Sequence, residues 1–449
     1  MPGYAGWKDL YREELFQMRE EGYDLSDAPA LSPDGNGLLP FPGMNEDAKN
    51  EEAVWETAYH KLEAIMKTPL RADFPYREPN GFEEILSAAA PAPALQPLDA
   101  ETYRERIRGA VYGRIAAVIL GKPLEMGFDA DTVRRYLEGA DAWPLCDFVP
   151  ADSPKTGMKA RGDCIVSTRG SIRYAQSDDD IHYTLLALTL AESRGYDFSA
   201  YDVGRNWLDN VPYHWFWCAS RQAYYHMVRG DAVETIPTSL NPWRECIDGQ
   251  IRSDLWGYLA PADLRRAAWG AYKDCSFSLV KNGVYGGMFV AGCIAAALSA
   301  CPTVDTILDG GLAVIPAESR LAEAVRLVRA WYAESGFDGT IRKIYEKYGR
   351  LPFAATINNL SVVTLALLEG NMDYGKTITA AVCGGIDTDC NAGTAGSIIG
   401  AAVGLSGIEK RWYEPLNDSI HSNVAAFGQV SISEVIDRIL ALKEHLGIN

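Results

Sequence analysis

The sequence predicts an all-α fold in two parts. Apolar residues recur at spacings of three and four through most of the 449-residue chain, helix start and stop signals bracket those runs, and a single short stretch looks extended. With 47% apolar residues the chain can bury a full core, in one large domain or two ordinary ones.

Residues 1–98 are expected to form a smaller helical region. Trp7, Leu10, Tyr11, Leu15 and Met18 make one apolar stripe there, and Trp55, Ala58, Tyr59, Leu62, Ile65 and Met66 another. Between them "LSPDGNGLLPFPGMNED" reads as a loop from its proline and glycine. "PAPALQPL" (91–98) reads as an extended connector, because proline fixes φ and removes a donor.

Residues 99–449 are expected to form a large helical domain. Asp99 is placed to cap "AETYRERIRGAVYGRIAAVILG". "RGDCIVSTRGSIRY" is the extended candidate, read as one hairpin. "SRLAEAVRLVRAWYAE" puts Leu321, Ala324, Val325, Val328, Trp331 and Tyr332 on one helical stripe. The tail "SISEVIDRILALKEHLG" is expected to start at a Ser433 cap and stop on glycine. "GGMFVAGCIAAALSA" and "AGTAGSIIGAAVGL" are too short for membrane spans and read as buried helices.

The formal charge of −18, spread along the chain, argues against sequence-independent nucleic-acid binding, which needs a basic surface. A local pocket for a small anion remains compatible with it. The nine cysteines are scattered, odd in number and never spaced C-x-x-C, which suits a reducing compartment rather than a disulfide frame or zinc cluster. "MPGYAGWKDLYREEL" is polar and acidic, unlike a secretory leader. A cytoplasmic protein is expected.

Two acidic stretches carry the chemistry: "SDDDIHY" (177–183) and "CGGIDTDCNAGTAGSIIGAAVG" (383–404). Helix capping explains either one alone. Ser177 and Asp180 imitate a capping box, and acids in a first turn complement the helix dipole. A cap needs only one acceptor, however, and adjacent carboxylates repel. Asp178, Asp179, Asp180, Asp387 and Asp389, converging with a hydroxyl, would suit hard cations such as Mg²⁺, Mn²⁺ or Ca²⁺. Two such ions roughly 3.5–4 Å apart could orient a substrate and activate water. Small residues at Ala392, Gly393, Ala395, Gly396 and Gly400 would let the second helix lie close to a neighbour.

Substrate contacts are weaker signals. Trp215, Phe216, Trp217, Tyr224 and Tyr225 could stack on a base, although buried core is the commoner fate of such rings. His182 suits a structural role better than a lining one; His214 and His226 have no carboxylate pattern of ligands. Arg114 and Arg161 are phosphate candidates or ion-pair partners. Gly384 and Gly385 could expose N–H groups to an anion, or simply turn the chain.

"RGAVYGRIAAVILGKPLE" (108–125), "SDDDIHYTLLAL" (177–188) and "GGIDTDCNAGTAGSIIGA" (384–401), in that order, resemble the ADP-ribosylglycohydrolase superfamily. "KNGVYGGMF" (281–289), "IPAESRLAEAVR" (315–326) and "INNLSVVTLALLEG" (357–370) agree, so the likeness covers about residues 99–415. It is closest to the bacterial branch whose last motif reads D-T-D-C-N. The resemblance implies a compact all-α fold around two magnesium ions, with manganese as a substitute, and cleavage of an N- or O-glycosidic bond to ribose. The substrate would be an ADP-ribosyl compound or a smaller riboside.

Ser177 stands at the family's metal-binding threonine, Asp178 and Asp179 at its paired aspartates, and Asp387 and Asp389 at the acids of its last motif. Glu125 matches the acid that lies at the metal site and gates the substrate. Expected substrate contacts are Glu125, Asp180, Asn282, Gly283, Gly384 and Gly385. The chain departs from the family pattern at Ala117 and Val118 (usually Gly-Asp), Asp180 (a second threonine), Leu279 (a histidine) and Cys390 (a hydroxyl). Asp179 is expected to act as base or to position water, and Glu125 to gate and transfer a proton.

Three other readings compete. A terpene-synthase-like diphosphate lyase wants an acid one turn further on, where this chain has Ile181, His182 and Tyr183. A metal-dependent phosphohydrolase would use similar ions. A binding module that has lost turnover is suggested by Val118, Leu279 and Cys390 and opposed by the costly cluster of acids.

Overall fold

A computed structural model describes residues 5–42, 44 and 52–448. Residues 1–4 of the polar N-terminal stretch, and 43 and 45–47 of the expected loop, lie outside the described residues. The N-terminal helices α1 (Trp7–Glu20) and α2 (Glu52–Ile65) share their own core of Leu10, Tyr11, Met18, Trp55, Ala58, Tyr59 and Leu62. The short α3 (Phe82–Ser87) turns Phe82 and Ile85 into the main core instead.

The rest is helical, as the periodicity predicts. α4 (Ala100–Gly121) and α5 (Ala130–Gly139) precede a small hairpin, β1 (Asp152–Ser153) with β2 (Met158–Lys159). Next come α6 (Asp179–Arg194), α7 (Ala200–Asn210), α8 (Cys218–Arg229), α9 (Asp248–Arg252), α10 (Asp254–Tyr258) and α11 (Leu264–Cys275). α12 (Lys281–Ala297), α13 (Val304–Leu312), α14 (Arg320–Tyr348), α15 (Thr356–Gly370), α16 (Tyr374–Cys383) and α17 (Thr388–Val403) follow. The chain closes with α18 (Lys410–Tyr413), a second hairpin of β3 (Ser419–His421) and β4 (Gln429–Ser431), and α19 (Ile432–His445). No helix among the described residues is long and apolar enough to cross a membrane.

The centre of the molecule is the antiparallel pair α4 and α17. Asp99 caps α4, accepting from the Thr102 N–H at 2.8 Å. α17 is buried from Thr388 to Ala402, so it needs small residues on every side and no polar face. Its glycines meet those of α4. A Cβ at Gly113 would come 2.6 Å from the Gly396 carbonyl oxygen, and one at Gly121 would run into the Thr388 backbone. That contact fixes where the end of α4 meets the start of α17.

Two local expectations give way to long-range pairing. "RGDCIVSTRGSIRY" forms a 3₁₀ segment over Gly162–Ser167, not a hairpin. Its β-branched Ile165 and Val166 are exposed, so the alternation has no apolar face to bury. The cap of α19 is Ser431, accepting from the Glu434 N–H at 3.0 Å, not Ser433. β3–β4 pairing through Ser431 keeps that residue extended, and Ser433 bonds Asp418 from inside the first turn.

Candidate active site

Three structural ends meet at one place. α4 ends at Gly121 and passes through a 3₁₀ turn, Lys122–Leu124, to Glu125. α6 starts at Asp179, with Asp178 as N-cap accepting from the Asp180 N–H at 3.0 Å; Ser177 is not the cap. α17 starts at Thr388, whose hydroxyl donates to the Gly121 carbonyl at 2.8 Å and ties it to α4.

The acidic stretches therefore face each other. Glu125, Asp387 and Asp389 offer oxygens within 4.8 Å of one another; so do Asp178, Asp179 and Asp180. Asp180, Asp389 and the Cys390 sulfur form a third such group that joins the two stretches. Asp178, Asp180, Asp387 and Asp389 are buried and Asp179 half-buried.

Burial and mutual repulsion disfavour charge here. Burial, with Asp178, Asp180 and Asp389, holds Asp179 far above the usual carboxylate range. Asp387 is raised in the same way by burial, Asp389 and Glu125, and Asp389 by burial and Asp178. Glu125 is pushed up to about 10 by burial and Asp389, against the opposing Arg161 guanidinium.

Asp178 is the exception: Lys122 outweighs its burial and holds it below the usual range. The Lys122 ammonium donates to Asp178 Oδ2 and, at 3.0 Å, to the Ser177 carbonyl. Arg114 salt-bridges Asp180 at 3.2 Å and Asp254 at 3.0 Å, and Arg161 bonds Glu125 and Asp163.

The donor set fits a hard divalent cation. It is rich in oxygen, and two of its buried oxygens, Asp387 Oδ1 and Asp180 Oδ2, have no hydrogen-bond partner. Unpaired buried carboxylate oxygens are costly, and a cation is the partner that relieves them.

The profile of the ADP-ribosylglycohydrolase family matches residues 99–446. This chain belongs to the ADP-ribosylglycohydrolase family. Membership supports hydrolysis of a glycosidic bond as its role. Among solved structures it is similar to an "ADP-ribosylglycohydrolase-related protein complex", at 19% identity and a TM-score of 0.48, covering 77% of this chain and 99% of that one. No curated protein sequence matches.

Around this ADP-ribosylglycohydrolase cluster several expected contacts take other roles. Ser177 Oγ bonds Asn423 Oδ1 and, at 2.9 Å, His182 Nε2, so its hydroxyl is turned to the β3–β4 hairpin side. Asn282 spends both amide hydrogens on Glu78 (2.8 Å) and Glu245 (2.9 Å) and accepts from the Leu321 N–H, which replaces the expected substrate contact with a packing one. Gly283 lies flat against the backbone of Arg244 and Gly249. The N–H groups of Gly384 and Gly385 donate to the last carbonyls of α16, leaving none for an anion. Gly385 turns the chain at φ +68° where it passes the start of α5.

Arg114 is fully enclosed by Asp180, Asp254 and the Ile251 carbonyl, so a phosphate cannot reach it. Phe216 is core, stacked on Trp207, and Trp217 is exposed beside Arg221. Trp215 meets His182 edge-on at 5.3 Å, next to Ser177. Leu279 is packed in the core, and Val118 lies against Gly393.

Sequence reasoning passed over Lys122, Asn359, Asn391 and Asn423. Asn359 accepts from the Asp387 N–H (3.4 Å) and the Asn391 amide (2.8 Å), holding the start of α17. Two signals could have found them: a lysine closing a long apolar helix in "VILGKPLE", and paired asparagines opening the apolar run "INNLSVVTLALL".

Proposed function

We propose that this chain is a metal-dependent hydrolase cleaving the glycosidic bond to ribose in an ADP-ribosyl compound or a smaller riboside. The observation that carries the reading is the convergence of Glu125, Asp387 and Asp389 with Asp178, Asp179 and Asp180, most of which resist ionising alone. Asp387 and Asp389, with Glu125 beside them, would hold a magnesium-type ion. When bound, such an ion supplies Lewis-acid chemistry at the sugar hydroxyls.

The residues themselves divide the remaining work. As the anomeric C–N or C–O bond breaks through an oxocarbenium-like state, Glu125 donates its proton to the leaving group. Asp179 would serve as the base once a bound cation offsets the neighbouring acids that hold its proton on, and Arg161 keeps Glu125 oriented. The protons belong to the coupled cluster rather than to single side chains. We assign residues 1–98 to a separate N-terminal region and the protein to the cytoplasm, consistent with nine free thiols.

The test is Mg²⁺-dependent release of ribose or ADP-ribose from N-ribosides, O-acetyl-ADP-ribose and ADP-ribosyl-arginine, followed by mass spectrometry. Turnover is expected to need metal and to vanish in Asp178→Ala and Asp389→Ala. Turnover that survives chelation and both substitutions rejects the assignment.

A further inference from the structure

We propose that the Lys122 ammonium takes the place of a second divalent cation, so that this centre holds one ion. The inference rests on the metal-dependent reading above and concerns how the pocket is filled. Lys122 is 7% exposed and sits on the turn between α4 and Glu125, with its Nζ against Asp178 Oδ2 and 3.0 Å from the Ser177 carbonyl. A fixed ammonium at a carboxylate oxygen repels any cation brought to that oxygen and already satisfies it.

The other donors on the α6 side are also engaged. Ser177 Oγ is bonded to Asn423 and His182, and Asp180 Oδ1 to Arg114, so that only Asp180 Oδ2 of these atoms stays without a partner. Cys390, at the corner shared with Asp180 and Asp389, offers a soft sulfur, a poor partner for Mg²⁺.

The α17 side differs. Glu125, Asp387 and Asp389 converge within 4.8 Å, and Asp387 Oδ1 is buried with no partner. One divalent ion fits there. The ammonium then neutralises Asp178 in place of a second ion.

Mn²⁺ titrated into the full chain, read by electron paramagnetic resonance and by metal content after gel filtration, tests this. Wild type is expected to hold one Mn²⁺ per chain with an uncoupled spectrum, and Lys122→Arg likewise. Lys122→Met is expected to hold two, with an exchange-coupled spectrum and a larger rise in melting temperature on adding Mn²⁺. Two coupled ions in wild type overturn the inference and leave the metal-dependent function standing. One ion in a folded Lys122→Met removes the role given to Lys122. Were that variant not to fold, the wild-type and Lys122→Arg counts decide alone. No bound Mn²⁺ in wild type overturns the metal reading itself.

Discussion

Two buried charge clusters in this molecule are built on opposite terms. Where the N-terminal region meets the large domain, Glu21 lies between Arg244 (2.6 Å) and Lys281 (2.7 Å), and Arg320 joins Glu78 and Glu245 at 2.7 Å each. Burial would raise Glu21, but Arg244 and Lys281 outweigh it and hold it down at about 2. Glu78 is likewise held low by Arg320 against its burial. Only Glu14, bonded to Arg244 and Tyr59, is raised, through burial and the nearby Glu21.

At the candidate active site the balance reverses. Asp179, Asp387, Asp389 and Glu125 are raised, and two carboxylate oxygens lack partners. The difference separates a cluster most of whose shifted acids are held ionised by the protein's own cations from one whose acids are mostly not. Buried acids matched by arginines hold parts together; buried acids left short of cations await a ligand.

The comparison can be broken from either side. Asp387→Asn should lower kcat/KM by about 10³-fold or more, since loss of a metal ligand forfeits several kcal/mol of transition-state stabilisation. Its urea midpoint should hold or rise, because a repelling acid has gone. Arg320→Met should do the reverse: unfolding free energy drops by about 3–5 kcal/mol as Glu78 and Glu245 lose their partner, with turnover per folded molecule retained. A large activity loss without destabilisation in Arg320→Met would erase the distinction.

Gly113→Ala lies between the two. Its methyl group meets the Gly396 carbonyl, so α4 and α17 must separate, at a cost of about 1–3 kcal/mol and with weaker metal binding by calorimetry. Unchanged affinity would show that helix spacing does not set the site.

The smallest effect is a pH slope. Glu125 is raised to about 10 from a usual value near 4.5, so between these values the folded state binds more protons than the unfolded one. Its contribution is fully present below the unfolded value and is lost as pH rises through that window. Between pH 7 and 8 metal-free protein should lose stability at up to about 1.4 kcal/mol per pH unit relative to Glu125→Gln, and Mg²⁺ should flatten the difference. Parallel slopes in the two proteins would contradict the shift.

Local signals made the helices, the Asp99 cap and the two small-residue helices legible, because 3.6-residue periodicity and capping are read within one turn. The acidic stretches stood out for the same reason. What could not be read was pairing between distant segments. Ser431 and Ser433 offer the same capping chemistry, and only strand pairing with Ser419 decides between them. Asn282 sits in a motif shared with the family, yet its amide is spent on Glu78, some two hundred residues earlier in the chain. Lys122 was visible as a residue, but its partner Asp178 becomes a neighbour only when α4 and α6 fold together.

Crystals grown with Mn²⁺ and measured at the manganese absorption edge test the central claim most directly. An anomalous peak bonded to Asp387 and Asp389, with Glu125 beside it, is the predicted result. Density with no peak among these carboxylates, at saturating metal and full turnover, would contradict it.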